Sequence, residues 1–324
     1  MKKVVYEEFG DPVAVLQVVE AESQPLEVGQ ARVEVLRAPI NPSDLIQIAG
    51  NYGVRPPLPA VAGNEGIGRV TEVNGAGVEV GQLVLVPAGA GTWVTEIVAG
   101  IHQLVPMPEG DVDQLCMMMV NPATAQLLLT EYVDLKPGDW IIQSAANSAV
   151  GGYIVQLAKA RGVNVVNVVR RDSAVEDVKA LGGDVVLVDG PDLAAEVKKA
   201  TGAKMKLAID AVAGATAGRL ADTLERGGTL VNYGGMSNEP SALGAAALIF
   251  NDIVVRGFWL VLWFEKASRD ERMAVYGALT AAVAKGELHA PIDKVFTLEE
   301  VTEAARYSWA GSRKGKVLMA PNGI

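Results

Sequence analysis

A run of small residues between a strand-like and a helix-like segment is the part of this sequence best suited to chemistry. Trp140-Ile141-Ile142-Gln143 reads as a strand, and Gly151 to Arg161 carries apolar residues at helical spacing. Between them lie Ser144-Ala145-Ala146-Asn147-Ser148-Ala149-Val150-Gly151-Gly152. A pyrophosphate binds at such a junction, because backbone N–H groups and the positive end of a helix dipole converge there. The strict G-x-G-x-x-G pattern is absent, so a tight strand–helix turn also explains the segment on local pattern alone. About twenty residues further on, the next strand ends in Arg170-Arg171-Asp172. Asp172 fits a ribose 2′-hydroxyl, as in NADH, whereas two guanidinium groups suit a 2′-phosphate through paired hydrogen bonds. A solvated basic pair is the plain alternative, but with the loop before it the pattern favours NADPH.

Two further segments are placed to join such a site. Tyr233-Gly234-Gly235-Met236 ends a strand at the side of the sheet where ligands bind, and otherwise is a glycine turn. Asn121-Pro122-Ala123-Thr124 opens a helix, with Asn121 as a cap or as a polar contact to the nicotinamide region.

The elements that must position these residues fall into two kinds. Up to about Asp111 the chain is β-rich, with short runs at Lys3–Tyr6, Ala31–Leu36, Gly68–Val73 and Leu83–Val86 between Gly- and Pro-bearing turns. Pro39–Pro42 and Arg55–Pro59 are too proline-rich for helix interiors and read as loops. From there to Phe264 strands alternate with helices, which predicts βαβ units and a doubly wound parallel Rossmann sheet. The tail adds helices at Glu271–Lys285 and Leu298–Ser308 and a strand at Gly315–Met319. The expected domains are therefore a discontinuous β-rich catalytic domain, residues 1–112 and 271–324, and a cofactor domain, residues 113–270.

Composition excludes several classes. The 324 residues carry a net charge of −10, which argues against a nucleic-acid surface. No apolar run is long and uninterrupted enough for a bilayer span; Arg256 breaks the one from Ile253 to Phe264. With no basic, apolar leader at the start, a soluble cytoplasmic protein is expected. Cys116 is the sole cysteine, so no internal disulfide and no four-cysteine zinc site can form. Met117, Met118 and Met119 follow it in an apolar run, so it reads as a buried, inert thiol. His102 and His289 stand in no ligand-like spacing and are read as structural.

Nearly end to end, the chain resembles the medium-chain dehydrogenase/reductase superfamily, and within it the 2-enoyl thioester reductases. The likeness is carried by Asn41-Pro42-Ser43-Asp44, Gly50-Asn51-Tyr52-Gly53, Leu58 to Gly66, Asn147-Ser148-Ala149-Val150-Gly151, and Arg256-Gly257-Phe258-Trp259-Leu260 with Trp263 beyond. Ala149 stands where a glycine is common in those enzymes. The resemblance implies a GroES-like fold for the β-rich domain. It also implies cofactor contacts from Asn121, Asn147, Ser148, Ala149, Val150, Arg170, Arg171, Asp172, Tyr233, Gly234, Gly235, Met236, Phe258, Trp259, Leu260 and Lys316, with Tyr52 as the catalytic residue. Zinc-dependent relatives carry Gly-His-Glu where this chain has Gly63-Asn64-Glu65, and an amide is a poor zinc ligand, so no metal is expected.

The implied reaction is hydride addition to Cβ of a 2-enoyl thioester, with Tyr52 binding the thioester oxygen or supplying a proton. A tyrosine near its ordinary pKa of about 10 is a donor at neutral pH; without the resemblance, Tyr52 reads as a loop anchor. Phe258, Trp259 and Trp263 are either core aromatics or the wall of an acyl pocket. Reduction of a quinone or another activated alkene is the competing activity, and a cofactor-binding protein without catalysis the competing class. The acidic balance makes an acyl carrier protein, itself acidic, a less comfortable partner, while a basic surface for the carrier's phosphates would favour the thioester reading. A homodimer through an edge strand at Ile253–Leu260 is expected.

Overall fold

The computed structural model describes residues 1–311 and 313–323. The chain divides into two compact units: Met1–Val120 with Thr280–Gly286 and Ala290–Ile324, and Asn121–Leu279 with Glu287–His289.

The first unit is β-rich. Its strands in the early chain are β1 (Lys2–Tyr6), β2 (Gln17–Glu20), β3 (Gln30–Ile40), β4 (Ala60–Val61), β5 (Ile67–Asn74), β6 (Leu83–Leu85), β7 (Glu96–Gly100) and β8 (Val105–Pro106). The long β3 organises them. Ala31, Val33 and Val35 alternate onto its buried face, and antiparallel partners β5 and β7 run along it. Pro39, read from the sequence as part of a loop, lies in β3 opposite Leu318, and Pro42 opens the helix Pro42–Ile48. Both placements suit a residue with a fixed φ near −65° and no N–H, one in extended backbone and the other at the first turn of a helix. A core of Val4, Tyr6, Ile40, Leu45, Ile48 and Trp93 packs that helix against the β1 layer.

The second unit holds β9 (Trp140–Gln143), β10 (Asn164–Val169), β11 (Val185–Val188), β12 (Met205–Asp210), β13 (Leu224–Asn232) and β14 (Val254–Gly257). They pair in parallel in the order β11-β10-β9-β12-β13-β14. Numbered along the chain this is 3-2-1-4-5-6, the Rossmann order, whose reversal between the first and fourth strands places ligands at the strands' C-terminal ends. Ile141, Ile142, Leu207, Ala208 and Ile209 have no exposed surface, as expected of central strands covered on both faces. The helix Leu260–Lys266, absent from the sequence reading, follows β14; none of its residues is fully buried, so it lacks the one-sided apolar stripe that reveals a helix in sequence.

Back in the first unit, β15 (Ile292–Phe296) and β16 (Lys316–Met319) pair in parallel, and β16 lies antiparallel to β3 through Val317↔Ile40 and Met319↔Ala38. Chain separated by more than 270 residues thus shares one sheet.

The β9-to-helix turn is tightly drawn. A Cβ on Gly151 would stand 2.5 Å from the Ala146 oxygen and 2.8 Å from its carbonyl carbon and Cα. Backbone cannot yield as a side-chain tip can, so Gly151→Ala is expected to lower unfolding free energy by about 1–3 kcal/mol. Urea denaturation checks this; an unchanged midpoint would contradict the close approach.

Candidate active site

In the second unit the loop 144–148 leads from β9 into the helix Ala149–Ala160. Ser148 caps that helix, its Oγ accepting from the Gly151 N–H at 3.1 Å. Ala145 takes a left-handed φ of 49°, and the Ala146 N–H donates to the Val168 oxygen at 3.1 Å. Such a bend turns the first-turn N–H groups toward the strand ends, where an anion is favoured.

A buried polar network forms the floor beneath. Gln143 Nε2 donates to Asn167 Oδ1 at 2.7 Å and to the Gly151 oxygen at 3.0 Å. Ser144 Oγ donates to Asp210 Oδ1 at 2.7 Å and accepts from the Ala211 N–H at 2.9 Å. Asp210 also accepts from Val212 N at 2.9 Å, Ala213 N at 3.0 Å and Asn232 Nδ2 at 3.1 Å. The network thereby joins the C-terminal ends of β9, β10, β12 and β13. The sequence reading missed it, although Gln143 at the end of one apolar strand and Asn167 within the next are a legible signal.

Residues expected to hold the cofactor gather along that sheet edge. Asn147 is exposed, and Ser148, Ala149 and Val150 are half-buried at the helix start. Arg170, Arg171 and Asp172 are exposed just beyond β10. Tyr233 follows β13 and is hydrogen-bonded to the Ser148 side chain; burial of its hydroxyl pushes the pKa up. Gly234 lies against Ala211, where a Cβ would stand 2.8 Å from the carbonyl oxygen. Beside it Gly235 faces open space, and Met236 is exposed. Phe258, Trp259 and Leu260 are half-buried after β14, and the Phe258 N–H donates to the Asn232 oxygen at 2.9 Å. Asn121 is buried as the first residue of its helix. The loop's small residues, its capped helix start and the nearby arginines fit a dinucleotide phosphate.

Tyr52 belongs to the first unit. It is half-buried in a bend after the helix Pro42–Ile48, preceded by Gly50, whose φ is 77° and whose added Cβ would stand 2.8 Å from Phe9 Cβ. Only glycine reconciles that backbone with that contact. Behind the bend lies a cluster the sequence did not reveal. Asp44 Oδ2 accepts from Asn41 N at 2.7 Å, and Asp44 Oδ1 from Asn64 Nδ2 at 2.6 Å. Glu65 accepts from Asn41 Nδ2 at 2.7 Å and from Val120 N at 3.0 Å. Lys316, buried on β16, donates from Nζ to Asn41 Oδ1 at 2.5 Å and to the Ile40 oxygen at 3.2 Å. Two of its three N–H donors are thus engaged inside the first unit. Burial raises the Glu65 carboxyl and lowers the Lys316 ammonium, each opposed by the other's charge. Cys116 is fully buried, which pushes its thiol well above the ordinary range. At Gly63-Asn64-Glu65 the amide nitrogen is a hydrogen-bond donor with no lone pair to offer a metal.

Burial is the largest cause raising Asp44 from 3.8 to about 6, the hydrogen bonds from Asn41 and Asn64 opposing it. A carboxyl raised on folding contributes stability that is full below about pH 4 and is lost as the pH climbs through about 6. At roughly 1.4 kcal/mol per pH unit this amounts to about 3 kcal/mol. The unfolding free energy of the wild type relative to Asp44→Asn should therefore rise as pH falls from about 6 to about 4. A difference that stays flat across that window in urea titrations would refute it.

Comparison with known proteins bears out the expected superfamily. Residues 27–109 match the alcohol dehydrogenase GroES-like domain, and residues 149–276 match the family described as zinc-binding dehydrogenase. The mitochondrial enoyl-[acyl-carrier-protein] reductase of Rattus norvegicus is 36% identical over 318 residues, 95% of this chain and 85% of that protein. The Dictyostelium discoideum enzyme of the same name is 40% identical over 273 residues, 81% of this chain and 78% of the relative. Among solved structures, the mitochondrial 2-enoyl thioester reductase heterodimer from Candida tropicalis superposes with a TM-score of 0.88 at 29% identity, covering 98% of this chain and 99% of that one. A complex of its Etr1p chain type with NADP and crotonyl-CoA gives the same score, identity and coverage. These relatives are mitochondrial by name, which corrects the expected cytoplasmic location; among the described residues no helix is long and apolar enough to cross a membrane. By identity sustained across nearly its whole length, the chain belongs to the medium-chain dehydrogenase/reductase superfamily, in the family of the mitochondrial enoyl thioester reductases.

Proposed function

We propose that this protein reduces the C2=C3 double bond of 2-enoyl thioesters at the expense of NADPH. The observation that carries this reading is the end-to-end likeness to enoyl-[acyl-carrier-protein] reductases, 36% identity over 95% of the chain. A structure described as a putative NADPH:quinone reductase from Bacillus thuringiensis superposes with a TM-score of 0.89 at 29% identity, which keeps quinone reduction as the second reading, below the 36% identity to the enoyl reductases.

The cofactor supplies a hydride to the electron-poor Cβ. The chain's own residues do the rest. Asn147 to Val150, with Ser148 as cap, present N–H groups to the pyrophosphate. Arg170 and Arg171 neutralise the 2′-phosphate, with Asp172 beside them. Asn121, Tyr233 to Met236, Phe258 to Leu260 and Lys316 complete the set on the ground of family resemblance. As the hydride arrives, the π electrons move onto Cα and the thioester oxygen, and a proton must reach Cα. Tyr52 donates a hydrogen bond to that oxygen or delivers the proton, and polarisation by hydrogen bonding replaces polarisation by a metal.

Tyr52→Phe is expected to lower kcat roughly tenfold or more while leaving NADPH binding intact. NADPH oxidation with crotonyl-CoA, a quinone and a free unsaturated acid, measured side by side, checks both claims. Rapid turnover with the quinone alone would overturn the thioester reading, and unchanged kcat in Tyr52→Phe would remove its role.

Two copies of the chain pair through β14, the edge of the six-stranded sheet, where Val254 and Val255 are 40% and 42% exposed. Lysine at both positions should shift the particle to the monomer mass by light scattering; a dimer that survives places the interface elsewhere.

A further inference from the structure

The Tyr52 bend follows directly from the helix Pro42–Ile48, and one side of that helix carries a relay of amides. Asp44 and Gln47 stand three positions apart, on the same helix face. Asn64 reaches both with a single amide group: Nδ2 donates to Asp44 Oδ1 at 2.6 Å and to Gln47 Oε1 at 3.1 Å. Two N–H bonds on one nitrogen make this fork possible.

The anchor of the fork is held through its backbone. The Asn64 backbone oxygen accepts from Gly89 N at 2.8 Å, the preceding Gly63 backbone oxygen accepts from Thr92 N at 3.1 Å, and the following Glu65 backbone oxygen accepts from Thr92 Oγ1 at 2.8 Å. Gly63 takes a φ of 94°, and an added Cβ there would run into Thr92 and Trp93. The buried carboxylate makes the first bond of the fork charge-assisted and short.

The far end reaches the loop. With its oxygen taken by Asn64, Gln47 must turn its nitrogen the other way, and Nε2 donates to the Val54 oxygen at 3.2 Å. On the near side of Tyr52, Gly50 N donates to the Gln47 oxygen at 2.9 Å and Asn51 N to the Ile46 oxygen at 3.0 Å. Residues 50 to 54 are held at both ends, and Gln47 serves both holds, through its backbone oxygen and its side chain.

We propose that Asn64 and Gln47 are positioning residues for Tyr52, holding its loop through the relay Asp44–Asn64–Gln47–Val54. This rests on the reading of Tyr52 as the group that assists the reaction. Position 64, where zinc-dependent relatives place a metal ligand, here aligns the loop of the hydrogen-bond donor instead. Small displacement of such a group is costly: about 1 Å of misplacement is worth up to about a hundredfold in rate.

The full-length protein tests this with Asn64→Ala and Gln47→Met, the second a half-buried site that loses both relay bonds at nearly constant volume. The first readout is chymotrypsin cleavage of the native protein after Tyr52. Cleavage several-fold faster than in the wild type, with the melting temperature of Gln47→Met held, is expected; an unchanged rate overturns the proposal. The second is kcat with crotonyl-CoA in two backgrounds. Each substitution should lower kcat roughly tenfold in the wild type, with the NADPH dissociation constant unchanged, and have little further effect in Tyr52→Phe. An equal loss in both backgrounds shows that the relay does not act through Tyr52 and overturns the proposal. Failure of the Tyr52 reading looks different: Tyr52→Phe then keeps its kcat while cleavage of the relay variants still accelerates.

Discussion

Two carboxyl groups, Asp44 and Glu65, are taken out of water in the first unit, and the surrounding structure depends on satisfying them. An isolated buried carboxylate is costly, so each must meet donors or a counter-charge. Asn41 supplies donors to both, its backbone to Asp44 and its side chain to Glu65. Asn64 serves Asp44, Val120 N serves Glu65, and Lys316 brings an ammonium whose charge acts on both. Removing any one partner would leave a charge or a donor stranded in a dry interior. The cluster therefore binds β16, the end of β3, the first turn of the helix Pro42–Ile48 and the segment before β5 into one arrangement. The Tyr52 bend starts from that arrangement.

In the second unit the same physics works in reverse. There the buried polar groups sit at the C-terminal ends of parallel strands, and the order β11-β10-β9-β12-β13-β14 decides that these ends lie together. Asp210 accepts from the loops after β12 and β9 and from β13, so the platform under the helix start is hydrogen-bonded before any ligand arrives. The helix dipole and the Ser148 cap leave the start of that helix ordered in advance, which would lower the ordering cost of binding an anion there.

The loop between β9 and its helix, the one proposed for the cofactor phosphates, was legible in sequence because it is local: strand, turn and helix are contiguous, with small residues between them. Alternation of strands and helices was equally legible, since each period is written over a few neighbouring residues. Pro39 was not. A proline suggests a loop when taken alone, and only its partner Leu318 on a strand far along the chain makes it part of a sheet. Lys316 was legible as a position of interest by family likeness, yet its partners Ile40 and Asn41 are decided by the pairing of β16 with β3.

By itself the sequence determined the cofactor class, the parallel sheet, the lack of a cysteine ligand set and the candidate role of Tyr52 through its family context. Each depends on residue identity within a short stretch or on composition. Tertiary structure alone decided that Asp44, Asn64, Glu65 and Lys316 would share one dry site, and that Gln47 would face both Asn64 and Val54. Hydrogen bonds between groups so far apart in the chain leave no periodic trace, because only the folded sheet brings their acceptors within about 3 Å of their donors.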